Sequence, residues 1–175
     1  MLKKIRVELS FLNSDLKKLC PLTVSEVRFF FAWMAREIVH LEEYQSTCRS
    51  LGKTPNVLAL RFCDDQEMRV VQKKFRKLDR TTDVLSFPSK ESRERIKIHA
   101  LMSAKQDTSL GDLLISLPAV ERGAKRVRRT FKKELVEVMI HGTLHLLGFD
   151  HVKGGEKARR MRKVQKQIFY RYMKI

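Results

Sequence analysis

Apolar positions recur with two different periods along the chain, and the changes of period mark its elements. Ile5-Arg6-Val7-Glu8-Leu9 alternates with period two and reads as a strand, with Asn13-Ser14-Asp15 as the break behind it. Thr23-Val24-Ser25-Glu26 has capping-box form: a hydroxyl to accept from an orphan N–H, and a glutamate three residues on to reach back. Behind it Val27, Phe30, Phe31, Met34, Ile38 and Leu41 keep helical spacing, which predicts a helix burying an aromatic face on a sheet. His40, at its end, has no titratable companion and reads as structural or exposed. Asn56 to Cys63 reads as a strand punctuated by Asp64-Asp65, and Met68, Val71 and Phe75 predict a short helix over 67–75. Asp83 to Phe87 is a brief strand ended by Pro88, which lacks a ladder donor. Residues 89–109 hold no steady period and read as a loop. Leu110 to Leu117 is a further strand, and Pro118 is suited to open a helix. Thr130 to Leu147 is a strong helix stopped by Gly148, and a basic helix follows from about Glu156 to Met173. No repeat and no linker divides the chain. The expectation is one domain over residues 1–175, of α/β (α+β) class, with helices packed on a mixed central β-sheet.

Composition adds a partner class. The 175 residues carry 37 Lys and Arg against 20 Asp and Glu, a formal charge of +17, so a polyanion is the first partner to expect: nucleic acid or an anionic membrane. The longest apolar run, Phe29 to Ala35, is far too short to cross a bilayer, and Arg6, Glu8 and Asp15 interrupt any secretory apolar stretch. Cys20, Cys48 and Cys63 form no CxxC pair and leave an odd thiol however they are paired, as suits a reduced cytoplasm. Cytoplasmic location without membrane association is the expectation.

Chemistry concentrates in eleven residues, His141-Gly-Thr-Leu-His145-Leu-Leu-Gly148-Phe-Asp150-His151. Residues four apart share a helix face, so His141 and His145 present two imidazoles to one point. Gly148 ends the helix and lets His151 approach from the side. Three imidazoles suit Zn²⁺ and leave a fourth position open, which places an expected metal site at the end of this helix. One Zn²⁺ per chain is the expectation, with Ni²⁺, Cu²⁺ or Fe²⁺ also compatible with such ligands. The spacing is also that of the metzincin proteases, but those need a glutamate after the first histidine. Gly142 stands there instead, which removes the general base for peptide hydrolysis. Asp150 is the nearest carboxylate in sequence, able to orient a ligand histidine or act as a base, and joins His141 as a candidate catalytic residue.

At these residues the sequence resembles the YbeY endoribonucleases, bacterial rRNA maturation factors. Thr82-Asp83-Val84-Leu85-Ser86-Phe87-Pro88 and Leu110-Gly111-Asp112-Leu113-Leu114-Ile115-Ser116 resemble two further blocks of that family, in the same order. The likeness runs from about Val57 to Ile168, with Gln72 where the family usually has Asn and Thr81 where it usually has Pro. The resemblance implies a zinc-dependent, single-strand-specific endoribonuclease acting in 3′-end maturation of small-subunit (16S) rRNA and in ribosome quality control. His141, His145 and His151 would be the metal ligands. The family's functional arginine falls on Arg76, where a guanidinium would meet phosphoryl oxygens gathering charge. Expected partners are single-stranded rRNA and the small subunit or its proteins, with the chain a monomer.

Basic residues crowd both sides of the histidines. Lys125, Arg126, Arg128 and Arg129 precede them, and Arg159 and Arg160 follow, so with Arg76 these are the candidate RNA contacts. Two other readings stand beside the enzyme: a non-catalytic, zinc-containing rRNA-binding factor for ribosome biogenesis, and a metal-dependent hydrolase of another phosphoester.

Overall fold

The structure, a computed structural model, describes residues 5–51, 54–55, 57–89, 109–149 and 154–175. Strands β1 (Arg6–Phe11), β2 (Val57–Cys63), β3 (Val84–Pro88) and β4 (Ser109–Ser116) form one mixed sheet in the order β1-β2-β4-β3. β1, β2 and β4 run parallel and β3 pairs antiparallel with β4. β2 and β4 are buried along their whole length, as strands covered on both faces must be. Seven helices accompany the sheet among the described residues: α1 (Ser14–Leu19), α2 (Val24–Ile38), α3 (Glu42–Leu51), α4 (Asp65–Arg76), α5 (Leu117–Arg126), α6 (Phe131–Leu146) and α7 (Gly155–Tyr172). The expected class, helices packed on a mixed sheet, is the observed one.

Alternation along the central strands divides the core in two. Leu58, Leu60, Phe62, Leu113 and Ile115 join the larger cluster, with Phe30, Phe31 and Met34 of α2, Leu135, Met139 and Leu144 of α6, and Met161 and Ile168 of α7. Cys63, Leu85, Phe87 and Leu114 point the other way, onto Met68, Val71 and Phe75 of α4. The aromatic face of α2 is therefore core, and its capping box forms as its residues predict: Thr23 Oγ1 accepts from the Glu26 amide at 3.2 Å, and Glu26 Oε2 accepts from the Thr23 amide at 2.8 Å.

Two helices stand where the pattern predicts none. Asn13, read as a break, is also a cap: its Oδ1 accepts from the Leu16 amide at 2.9 Å and starts α1. α3 buries only Tyr44 among ten residues, so it carries almost no apolar period to read. The helix expected from 67 starts at Asp65 because Asp64 caps it, accepting from the Glu67 amide at 2.8 Å. Pro88 stays within β3, opposite Gly111, at the end of this edge strand. Most of the loop expected over 89–109 lies outside the described residues.

A bulge in β4 sets where that strand meets the helices. Val57 pairs with Ser109 and Leu58 with Gly111, so Leu110 is the extra residue. Gly111 has φ +140°, and a Cβ there would lie 2.3 Å from the Phe87 carbonyl oxygen and 2.9 Å from Leu146 Cδ2. Only glycine meets both demands.

Candidate active site

α6 is built to hold its last turns still. Thr130 caps it, accepting from the Lys133 amide at 3.3 Å. At the far end Gly148 takes φ +87°, its amide donates to the His145 carbonyl at 3.0 Å, and the Phe149 amide donates to the Leu144 carbonyl at 3.1 Å. This is a Schellman stop, and glycine is the residue it calls for.

Between Val138 and Leu147 every residue is buried except His141 and His145, which are half-buried. One turn apart on one face, their Nε2 atoms approach to 3.1 Å, with ring centroids 4.7 Å apart and planes at 75°. Two nitrogens each about 2.0–2.1 Å from one tetrahedral ion would stand about 3.3 Å apart. The pair therefore fits two ligands of a common cation. Asp150 and His151 lie outside the described residues, and among the described residues no three His, Cys, Asp or Glu side chains converge as a metal cluster.

The opposite face of α6 explains Gly142. A Cβ there would stand 2.9 Å from Leu113 Cδ2, 3.1 Å from Val84 Cγ2 and 3.4 Å from Ser86 Oγ. The position metzincins fill with a catalytic glutamate is here pressed against the sheet, where no glutamate side chain fits.

Behind the histidines runs a line of polar groups that no motif in the sequence anticipates. His141 Nδ1 lies 2.9 Å from Gln165 Oε1 on α7. Gln165 Nε2 donates to Glu137 Oε1 at 3.2 Å, and the other oxygen of Glu137 is in close ion pair with Arg129. Arg129 also lies 3.8 Å from Glu134 and sits over the Phe169 ring. Glu137 precedes His141 by four, so the stripe Glu137-His141-His145 was available to periodicity. Gln165 was not, because only the packing of α7 along α6 brings it there.

Arg76 ends α4, exposed, with Nη2 3.4 Å from the Ser86 carbonyl oxygen. Ser86 Oγ in turn donates to the Gly142 carbonyl at 3.0 Å. Two hydrogen bonds thus join Arg76 to the helix backbone beside His141. Gln72, one turn before Arg76, is buried, and its Oε1 has no hydrogen-bond partner among the described residues.

The remaining candidate cations separate into two sets. Lys125 pairs with Glu121 at 2.8 Å, Arg129 is held by Glu137, and Arg160 makes a two-pronged bridge to Glu43 of α3 at 2.5 and 3.1 Å. Burial would raise the Glu43 carboxyl, but hydrogen bonds from Arg160 and its charge bring it below the usual carboxylate value. Arg126, Arg128 and Arg159 are exposed and make no ion pair among the described residues. The first basic group sits at the N-terminal end of α6, about 15 Å of helix from His141, and Arg159 lies in the first turns of α7.

Comparison with known proteins finds relatives over most of this chain. The family described as endoribonuclease YbeY matches residues 25–173. The endoribonuclease YbeY of Aquifex aeolicus is 36% identical over 125 residues, covering 71% of this chain and 76% of that one. The endoribonuclease YbeY of Persephonella marina is 32% identical over 112 residues, 64% of this chain and 67% of the other. A solution structure, TM1509 from Thermotoga maritima, is 22% identical with a TM-score of 0.48, covering 97% of this chain and 93% of that chain. With 149 consecutive positions of this chain matched and the histidine pair standing inside that stretch, the chain belongs to the endoribonuclease YbeY family.

Proposed function

We propose that this protein is a metal-dependent endoribonuclease that cleaves single-stranded RNA and acts on small-subunit rRNA. The carrying observation is the 3.1 Å approach of His141 Nε2 and His145 Nε2, the two solvent-reaching positions between Val138 and Leu147 of an otherwise buried stretch. Membership of a family whose members are named endoribonucleases supports the reaction class. His141 and His145 would hold a Zn²⁺ ion together with His151, which the spacing of the motif supplies. When bound, the ion supplies Lewis-acid chemistry, polarising a phosphoryl oxygen or making water acidic near neutral pH.

The chain's own residues do the rest. Arg76 gives one N–H to the Ser86 carbonyl and keeps the others for non-bridging phosphate oxygens. Arg126, Arg128 and Arg159, without ion pairs among the described residues, hold the strand electrostatically, whereas Lys125, Arg129 and Arg160 must first leave a carboxylate. Asp150 would orient a ligand histidine. No helix among the described residues is long and apolar enough to cross a membrane. Three free cysteines fit the cytoplasmic setting of the reading.

The test is cleavage of a single-stranded RNA by protein purified without added metal. Wild type should cleave, and chelator or His141→Ala should remove cleavage together with about one equivalent of zinc. Arg76→Ala should lose cleavage while keeping its zinc. Activity surviving both chelator and His141→Ala overturns metal catalysis, and inactive, zinc-loaded wild type favours a binding factor.

A further inference from the structure

We infer that Gln165 is a positioning residue that selects which ring nitrogen His141 offers to the metal. The inference rests on the reading of His141 as a ligand, and extends it to a helix outside the histidine motif.

The selection follows from donor and acceptor counting. A carboxylate accepts only, so Glu137, paired with Arg129, requires a donor from its other neighbour. Gln165 must therefore turn its NH₂ towards Glu137, at 3.2 Å, and its oxygen towards His141 Nδ1, at 2.9 Å. An amide oxygen also only accepts. The neutral ring of His141 thus carries its proton on Nδ1 and its lone pair on Nε2, the nitrogen 3.1 Å from His145 Nε2. The reversed amide would set oxygen against carboxylate oxygen and leave the half-buried donors mismatched, which a site of reduced dielectric penalises strongly. Arg129, expected as an RNA contact, is the anchor of this line: its charge fixes Glu137, Glu137 fixes the amide, and the amide fixes the imidazole.

Gln165→Leu removes the acceptor. Glu137→Gln keeps its oxygen on Arg129, turns an NH₂ to residue 165 and so reverses that amide, and the double variant Glu137→Gln/Gln165→Glu restores an acceptor beside His141 Nδ1. Two readouts separate positioning from mere packing. The first is nitrogen-15 NMR of the imidazoles in metal-free protein near pH 8, with His141→Ala to assign the signal. Wild type and the double variant should show the Nδ1–H form of His141, Gln165→Leu a mixture, and Glu137→Gln a shift towards the Nε2–H form. The second is zinc affinity by competition with a chromophoric chelator, where Gln165→Leu should bind roughly 10–100-fold more weakly and the double variant within a few-fold of wild type. An unchanged His141 tautomer in both single variants overturns the inference, as does a double variant as impaired as Gln165→Leu. A wild type that binds no zinc sinks the metal reading alone, because the tautomer measurement needs no metal.

Discussion

Gly111 and Gly142 show how much of this site is decided by the absence of a side chain. Both stand where β4 and α6 press together, yet they differ in what a methyl group would meet. At Gly111 it would meet a backbone oxygen at 2.3 Å with φ already at +140°, so the strand itself must move. Gly111→Ala should cost about 3 kcal/mol, strain and overpacking together. At Gly142 the nearest atom is the end of a leucine side chain at 2.9 Å, and alanine recovers about 1 kcal/mol of helix propensity. Overpacking of about 1–3 kcal/mol is then partly offset, so Gly142→Ala should be the milder variant. Urea denaturation of the two variants checks the order, and a greater destabilisation at 142 would show that Leu113 cannot give way.

At the scale of elements, helix ends do most of the tying. Glu26 completes the capping box of α2 and also accepts from Lys132 in the first turn of α6 at 2.7 Å, which joins the N-termini of two core helices. The Lys132 hydrogen bond, then those of Thr23, lower the Glu26 carboxyl from 4.5 to about 2. A carboxyl depressed on folding favours the folded state once ionised in both states. Its contribution should be whole above about pH 4.5 and fade as pH falls towards 2. The stability gap between wild type and Glu26→Gln should therefore close on acidification and shrink in high salt, since the pair is exposed. A gap indifferent to pH would remove the carboxylate from the account.

The same scale shows where periodicity stops being informative. α2, α6 and the two central strands announce themselves because each buries a face and repeats an apolar residue at the matching interval. α1 is six residues long and rests on one cap, and α3 has a single buried residue, so neither has a period to show. The histidine pair was legible for the reason α6 was, since i and i+4 share a face. Gln165 and Ser86 were not, because they reach the site across a helix packing and a strand pairing that no local pattern encodes.

For the molecule as a whole, the 37 Lys and Arg overstate the cations free to meet RNA. Arg160, Arg129, Lys132 and Lys125 are held by Glu43, Glu137, Glu26 and Glu121, while Arg126, Arg128 and Arg159 are not paired among the described residues. On single-stranded RNA the slope of log K against log salt scales as about 0.7 for each phosphate that a cation neutralises. Replacing Arg126, Arg128 and Arg159 together by alanine should flatten that slope by about 2, and replacing Arg160 should leave it nearly unchanged. Equal effects from paired and unpaired arginines would mean that the ion pairs open on binding.

The sealed stretch of α6 has a consequence for how such a protein can diverge. Eight of the ten positions from 138 to 147 are interior, and the two that reach solvent are both histidine. A helix usually drifts through its exposed positions while its buried ones stay put. Here that freedom is missing, because a change at an interior position disturbs the fold and a change at either solvent-reaching one removes an imidazole. Tolerated substitutions are therefore expected outside this stretch, as on the exposed faces of α3 and α7.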